Sequence, residues 1–259
     1  MMDSKADRMH KLFYPEVGAG GFTRVDGTIN FYQRVNALVA PESIVLDYGA
    51  GRGRFLEDPV RYRRDLRLLR GRVAEVIGAD VDQAVLQNPT LDRAVIIGEN
   101  GRLLLENESV DLILSDFTFE HVTQPARVAA ELSRVLKPGG WVCARTPNAY
   151  GVIGIPTRIV PNIYHNRILR IVQPSKRSVD TFPTAYKLNS FAAIKRYFPH
   201  DSFENFTYIF DSEPAYAGGS RVAWSAYQAL NRLLPERFAS MMFVLLRKSH
   251  HQDPSGNMS

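Results

Sequence analysis

The residues of this chain best suited to chemistry begin where an apolar run meets an acid: IVLDYGAGRG, residues 44–53, sets Asp47 ahead of Gly49, Gly51 and Gly53. A carboxylate at a strand end favours a cation. Glycines let the backbone turn sharply, approach a ligand and pack against the next segment, because a β-carbon would intrude. The spacing suits a cofactor loop; a tight strand-to-helix turn is the plainer alternative, although one or two glycines would serve it. A dinucleotide loop would follow G-x-G-x-x-G, its third glycine for helix packing and the helix N-terminus for a pyrophosphate. Arg54 stands at that sixth position, which argues against a nicotinamide-dependent oxidoreductase.

The elements that would hold the loop alternate through the first 145 residues. TINFYQRVNALVA reads as a helix and SIVLDYG as the strand ending near Asp47. AEVIGAD, RAVIIGE and VDLILSDF read as further strands, with a short helix AVLQNP after the first of them. QPARVAAELSRVLK is a helix whose Val128, Leu132, Val135 and Leu136 share one face. KPGG, with Pro138 and Gly139 suited to the centre of a tight turn, then launches the strand WVCARTP. This alternation predicts a doubly wound α/β fold, a parallel sheet with helices on both faces. After Pro147 the pattern breaks, and residues 150–180 read as an insertion. NSFAAIKRYF, FENFTYIF, RVAWSAYQALNRLL and ASMMFVLLRK then read as helix, strand, helix and strand, before a polar tail expected to be disordered.

Composition narrows the function classes. With 45% hydrophobic and 23% charged residues the chain has an ordinary globular balance, and no apolar run is long enough to span a bilayer. The charged N-terminus lacks a secretory signal's apolar core, and the lone Cys143 cannot form an internal disulfide, so the cytoplasm is the expected compartment. The net charge of +5 is traceable in large part to RYRRDLRLLRGR, residues 61–72. Its leucines recur at helical spacing and no aromatics interleave at stacking positions, so a solvated helix face is expected rather than a nucleic-acid patch.

The loop D-x-G-x-G-x-G resembles motif I of class I S-adenosylmethionine (SAM)-dependent methyltransferases, and four further segments resemble that family in the same order. VIGADVDQAVL is similar to its second strand, which implies that Asp80 accepts hydrogen bonds from both ribose hydroxyls with Val81 beside the adenine. GENGRLLLENESVDLILSD resembles the stretch that would place Glu99 and Asn100 at the adenine edge. SDFTFEHV resembles the segment after strand four, which implies Ser115 beside the methionine moiety. ELSRVLKPGGWVCARTPN is similar to a signature of ubiquinone-biosynthesis-type members. The resemblance is firm over residues 44–148. It implies a Rossmann-like seven-stranded sheet, mostly parallel with one antiparallel strand near the C-terminus, and SAM as cofactor. The loop contacts would come from Asp47, Tyr48, Gly49, Ala50, Gly51 and Gly53. SAM carries no phosphate, so no anion cradle is needed, and its ammonium group benefits from an acid at the strand end. Tyr48 where an aliphatic residue is common, Asn100 where a small one is, and a longer link to Asp80 depart from the pattern; the extra residues are expected to lengthen a helix.

Displacement at a sulfonium starts from an activated leaving group, so positioning can supply much of the catalysis. For a hydroxyl acceptor a general base would help. His121, after strand four, is the first candidate and His165, in the insertion, the second; Glu120 and His121 equally suit capping or orienting the next helix. SDFT stands where nucleic-acid and glutamine N-methyltransferases carry an NPPY-like quartet. Asp111 and Asp116 alone make no metal site, and no metal is expected. The expectation is one domain over 1–249, with insertions at 150–186, covering the acceptor, and at 211–240, and a tail at 250–259. Tyr150, Tyr164, His165 and Tyr186 are its candidate acceptor lining. Trp224, Tyr227 and Leu230 share a helix face expected to pack on the sheet, with a membrane or a partner as alternatives. The function expected is methyl transfer to a small-molecule or glycan- or lipid-linked acceptor through oxygen, with no nucleic acid as partner. A non-catalytic SAM-binding protein and a nucleic-acid methyltransferase are the competing readings.

Overall fold

A computed structural model of the chain describes residues 5–152, 184–214 and 218–250. Tyr164, His165 and most of the 150–186 insertion lie outside the described residues, as does the tail from 251. The helices are α1 (Lys5–Phe13), α2 (Gly27–Leu38), α3 (Arg61–Arg67), α4 (Pro125–Val135), α5 (Phe191–Tyr197) and α6 (Arg221–Leu233). The strands are β1 (Ile44–Tyr48), β2 (Glu75–Asp80), β3 (Arg93–Ile96), β4 (Val110–Asp116), β5 (Leu136–Pro147), β6 (Phe203–Asn205), β7 (Tyr208–Phe210) and β8 (Met241–Lys248).

One sheet runs β3-β2-β1-β4-β5-β8-β6, with β7 also paired to β8. The first five strands are parallel, and β8 is antiparallel to β5, β6 and β7. The eighth segment is no extra strand. Phe203 pairs with Lys248 and Phe210 with Met241 along one continuous register. The interruption at 206–207, where the Thr207 N–H donates to Asn205 Oδ1 at 2.9 Å, divides the sixth of seven expected strands. Strands covered on both faces must be apolar on both, and Val45, Leu46, Leu112, Ile113, Leu114 and the run Met242 to Leu246 are buried. On one face Leu46, Ile113 and Val142 pack with Leu132 of α4 and Ile194 of α5; on the other Val45, Leu112 and Cys143 pack with Phe31 and Val35 of α2.

Three local expectations give way. The lengthened helix after the glycine loop is instead a 3-10 turn, Arg54–Glu57, followed by the separate α3. Pro59 lacks an N–H and forces the residue before it out of the helical region, and Asp58 is extended at φ −61, ψ 125. KPGG lies inside β5, where the pairing shifts between Val110↔Leu136 and Leu112↔Trp141 and Gly139 takes φ +77. It forms an irregularity in the strand rather than a turn before it. Finally, the inner face of α6 packs on α1 and not on the sheet. Trp224 stacks on Phe13 with ring centroids 5.5 Å apart and meets His10 and Tyr14 edge-on, forming a small cluster separate from the two sheet cores. Among the described residues no helix is long and apolar enough to cross a membrane.

Candidate functional site

At the end of β1 the chain turns through Gly49, Gly51 and Gly53 at φ +86, +53 and +73, a region that glycine enters at little cost. A β-carbon on Gly49 would lie 2.1 Å from Thr118 Oγ1, and one on Gly53 would lie 2.5 Å from Asn88 Oδ1. A β-carbon on Gly51 would meet nothing within 4 Å. The outer two glycines therefore let the loop nest against the segments after β4 and β2, while the middle one leaves bare backbone facing open space. The third packs on Asn88 and Thr90 rather than on a following helix.

Main-chain hydrogen bonds hold that shape. Gly49 N–H donates to Ala79 O at 2.7 Å, and Asn88 Nδ2 to the carbonyls of Ala50 and Gly51 at 3.1 and 3.2 Å. Asp80, at the end of β2, accepts from Gly51 N–H at 2.8 Å through Oδ2 and from Asp82 N–H at 2.9 Å through Oδ1. Each oxygen keeps a further lone pair. Beside it Val81 is 62% exposed. Glu99 and Asn100 are exposed in the turn after β3, where Asn100 Oδ1 accepts from Arg102 N–H at 3.1 Å. Tyr48 and Ser115 turn inward. The Tyr48 hydroxyl is pushed up to about 12 by burial and then by the charges of Asp80 and Glu131, and Ser115 Oγ donates to Tyr48 O at 3.1 Å, tying β4 to β1.

Close to Asp47 lies a cluster of three charged side chains and a tyrosine that sequence reasoning misses. Arg145 of β5 holds Asp116 at the end of β4 with two bonds, Nε to Oδ1 at 2.7 Å and Nη2 to Oδ2 at 2.8 Å. Tyr32 OH and Arg67 Nη2 add bonds to Asp116 Oδ2 at 3.2 and 3.3 Å. Burial alone would raise the Asp116 carboxyl, but Arg145 and Arg67 hold it below the usual carboxylate range. Asp47 is pushed up to about 7 by burial and then by the Asp116 charge, with Arg67 opposing. One acid is thus already neutralised by arginine, and the other is left near half-protonation, where a cation would ionise it. The available signal is a guanidinium, Arg145, inside the otherwise apolar WVCARTP. The basic run is likewise not simply a solvated face. Arg63 binds Asp58 and Asp26, Arg67 binds Asp116, and Arg70 binds Asp92.

His121 ends the 3-10 turn Phe119–His121 after β4 and is half-buried at the ligand end of the sheet. The N-cap position of α4 is Gln124, whose side chain makes no capping bond. The buried Glu120 accepts from Thr146 Oγ1 at 2.8 Å, and its carbonyl accepts from the N–H groups of Ala185 and Tyr186 at 2.6 and 3.1 Å. It pins the returning chain to β5. Tyr150 is exposed. Phe117 stands at φ +56, unusual for a bulky residue, with the Arg145 guanidinium 4.7 Å from its ring centroid. Among the described residues there is no cluster of three or more His, Cys, Asp or Glu placed to hold a metal ion. A cleft of about 240 Å³ lined by Ile44, Glu75 and Arg93 opens at the starts of the strands, away from the loop.

Residues 46–144 match the family model described as Methyltransferase domain. The chain is 31% identical over 112 residues to a malonyl-[acyl-carrier protein] O-methyltransferase of Methylococcus capsulatus, covering 41% of this chain and 38% of that one. It is 31% identical over 148 residues to a protein of Mycolicibacterium smegmatis named as a probable S-adenosylmethionine-dependent methyltransferase, covering 55% of this chain and 52% of that one. The matches thus span about half or less of these curated relatives. A chain from the Haloferax volcanii complex of the Trm112 methyltransferase activator with a methyltransferase shares the fold at TM-score 0.52 and 18% identity, covering 85% of this chain and 90% of that one.

Proposed function

We propose that this chain, whose residues 46–144 match a methyltransferase-domain model, is a class I SAM-dependent methyltransferase that transfers a methyl group to an oxygen of a small-molecule or glycan- or lipid-linked acceptor. The observation that supports this most is the bare backbone of Gly51, which faces open space that a β-carbon would begin to fill and is held by Asp80. When bound, SAM supplies a methyl group already activated on a sulfonium. The free lone pairs of Asp80 would take the ribose hydroxyls, Val81 would lie on the adenine side, and Glu99 and Asn100 would read its edge. Asp47 would ionise against the ammonium group, and Ser115, whose hydroxyl is turned inward to Tyr48 O, would flank the methionine chain through its backbone. Tyr48, Gly49, Ala50 and Gly53 complete the loop.

The oxygen acceptor is supported by the activity for which the Methylococcus relative is named, O-methyl transfer, and by His121 at the ligand end. His121 takes the acceptor hydroxyl proton as the new bond forms; His165 is the second candidate. His121→Ala is then expected to lower turnover by about 10²- to 10⁴-fold at nearly unchanged SAM affinity. The limb of the pH profile near the ordinary histidine range of about 6 to 7 should vanish with it. Full activity in both single histidine variants and in the double variant would leave positioning alone as the source of catalysis. The test of the function itself is mass spectrometry of the protein incubated with methyl-labelled SAM and polar and lipid extracts of its host. A labelled O-methyl product with S-adenosylhomocysteine is expected; retained SAM without turnover in either extract would leave a binding protein instead.

A further inference from the structure

We infer that the outer face of α6 lies on an anionic membrane surface and so turns the ligand end of the sheet toward a lipid-linked acceptor; the acceptor class rests on the methyl-transfer reading above. Two opposite faces of α6 are occupied differently. The inner one is anchored by Trp224 among His10, Phe13 and Tyr14, by Tyr227 OH donating to Ser212 O at 2.9 Å, and by Asn231 donating to Asp211. On the outer face Val222, Ala226, Ala229, Leu230 and Leu233 fall at i, i+4, i+7, i+8 and i+11, which is one stripe of a helix. Val222, Leu230 and Leu233 are 80%, 47% and 82% exposed. Single exposed apolar residues need no explanation, but a stripe along a whole helix that is already anchored on its other side does.

Charge chooses the occupant. RVAWSAYQALNRL contains no acidic residue, and Arg221 and Arg232 are exposed and return to one flank of the stripe. α1, packed against the inner side, adds exposed Lys5, Arg8 and Leu12. The acids nearest in sequence are Glu236 beyond α6 and Asp211 and Glu213 before it; Asp211 is held by Tyr227 and Asn231 on the inner face and Glu213 by Thr23, while α1 adds Asp7. An apolar stripe flanked by arginine and free of acid matches a helix lying in the headgroup region of an anionic bilayer. The position of α6 agrees. The 211–240 segment is rooted where β5 ends and β8 begins, with Asn148 Nδ2 donating to the carbonyls of Arg237 and Ala239, both at 2.9 Å. That is the end of the sheet that carries Asp47, Asp116 and His121.

Co-sedimentation of the full chain with phosphatidylglycerol-containing vesicles, against pure phosphatidylcholine vesicles, tests the surface. Binding to the anionic vesicles alone, weakened by salt, is expected. Leu230→Asp with Leu233→Asp should lose at least about tenfold in partition, and Arg221→Gln with Arg232→Gln about fivefold per charge. Both variants change exposed positions, so melting temperature and SAM affinity should hold. Equal partition to both vesicle types, no partition, or partition unmoved by the two variants would overturn the inference. So would a leucine pair that converts a wild-type dimer to monomer in light scattering without changing vesicle binding, since the stripe would then cover a second copy. SAM titration of the same samples separates the claims: vesicle binding without SAM binding leaves the surface standing and removes the methyl-transfer reading.

Discussion

Around the glycine loop nearly every fixing contact is made by the main chain or to it. Gly49 and Ala50 donate to Ala79 O, Gly51 donates to Asp80, and Asn88 donates to two carbonyls. Around α6 side chains supply the contacts, several across long sequence separations: Trp224 with His10 and Phe13, Thr23 with Glu213, and more locally Asn231 with Asp211 and Tyr227 with Ser212 O. The loop is seated on the central strands of the sheet, whereas the α1–α6 cluster is a small core of its own. Few buried apolar contacts tie such a unit down, so it can open without the rest. On the proposed reading, cofactor binding falls to the glycine loop as a rigid cradle, and the α1–α6 cluster, a cap, is left free to differ in stability and in partner.

The comparison breaks most visibly at the two glycines that differ in surroundings. Gly49→Val should prevent the loop from seating, because its β-carbon meets Thr118, and should lower the melting temperature of the whole domain. Gly51→Val should leave the fold within a few degrees and abolish SAM binding by calorimetry; retained binding would mean that the open space at Gly51 is not the cradle. Next in size, Trp224→Ala should cost about 3 to 5 kcal/mol within the cap, the range for large aromatic truncations. It should speed amide exchange in α1 and α6 while SAM affinity stays within about twofold, an error range smaller than one hydrogen bond. If affinity falls with it, cap and cradle are one unit.

Asp80→Ala removes a charged acceptor from the loop and, on the proposed reading, from the ribose hydroxyls, and should weaken SAM by about 1.5 to 3 kcal/mol; calorimetry showing wild-type affinity would remove Asp80 from the ribose role. The smallest effect sharpens the electrostatics. The Asp47 carboxyl, raised to about 7 from an unfolded value of about 3.9, makes the native state bind more protons across that window. Apo stability should therefore fall as pH rises from about 4 to 7. The SAM ammonium group favours the carboxylate, so affinity should rise over the upper part of the same range and level off above 7. Asp47→Asn should flatten both slopes and stabilise the apo protein at pH 8 by about 1 to 2 kcal/mol, discounted for partial solvent access. Parallel slopes for stability and affinity would show that Asp47 is not the poised acid.

The legible parts of this molecule are those that local chemistry dictates. β1, β2 and β4 are largely apolar, β-branched runs, and each carries an acid at its last or last but one position, Asp47, Asp80 or Asp116, at the carboxyl ends of the strands, where open parallel sheets bind ligands. The three positive-φ glycines can be read because few other residues occupy that region. The parts that escape depend on pairing across distance. Arg145 is visible as a charge in an apolar strand, but nothing local says that it meets Asp116. The periodicity of α6 shows that Trp224 faces inward without saying that Phe13, and not the sheet, covers it. Pro59 is plain in the sequence, yet the leucine spacing on either side outweighs it, although a missing N–H and a restricted neighbour decide against a continuous helix.

Hydrogen exchange of the wild-type chain with and without S-adenosylhomocysteine tests the central claim most directly. Slower exchange is expected at 49–53, 80–82 and 99–102, the loop and the segments beside it, with 221–233 unchanged. No protection at the glycine loop, or protection confined to 221–240, would contradict a cofactor held on Gly51 and Asp80.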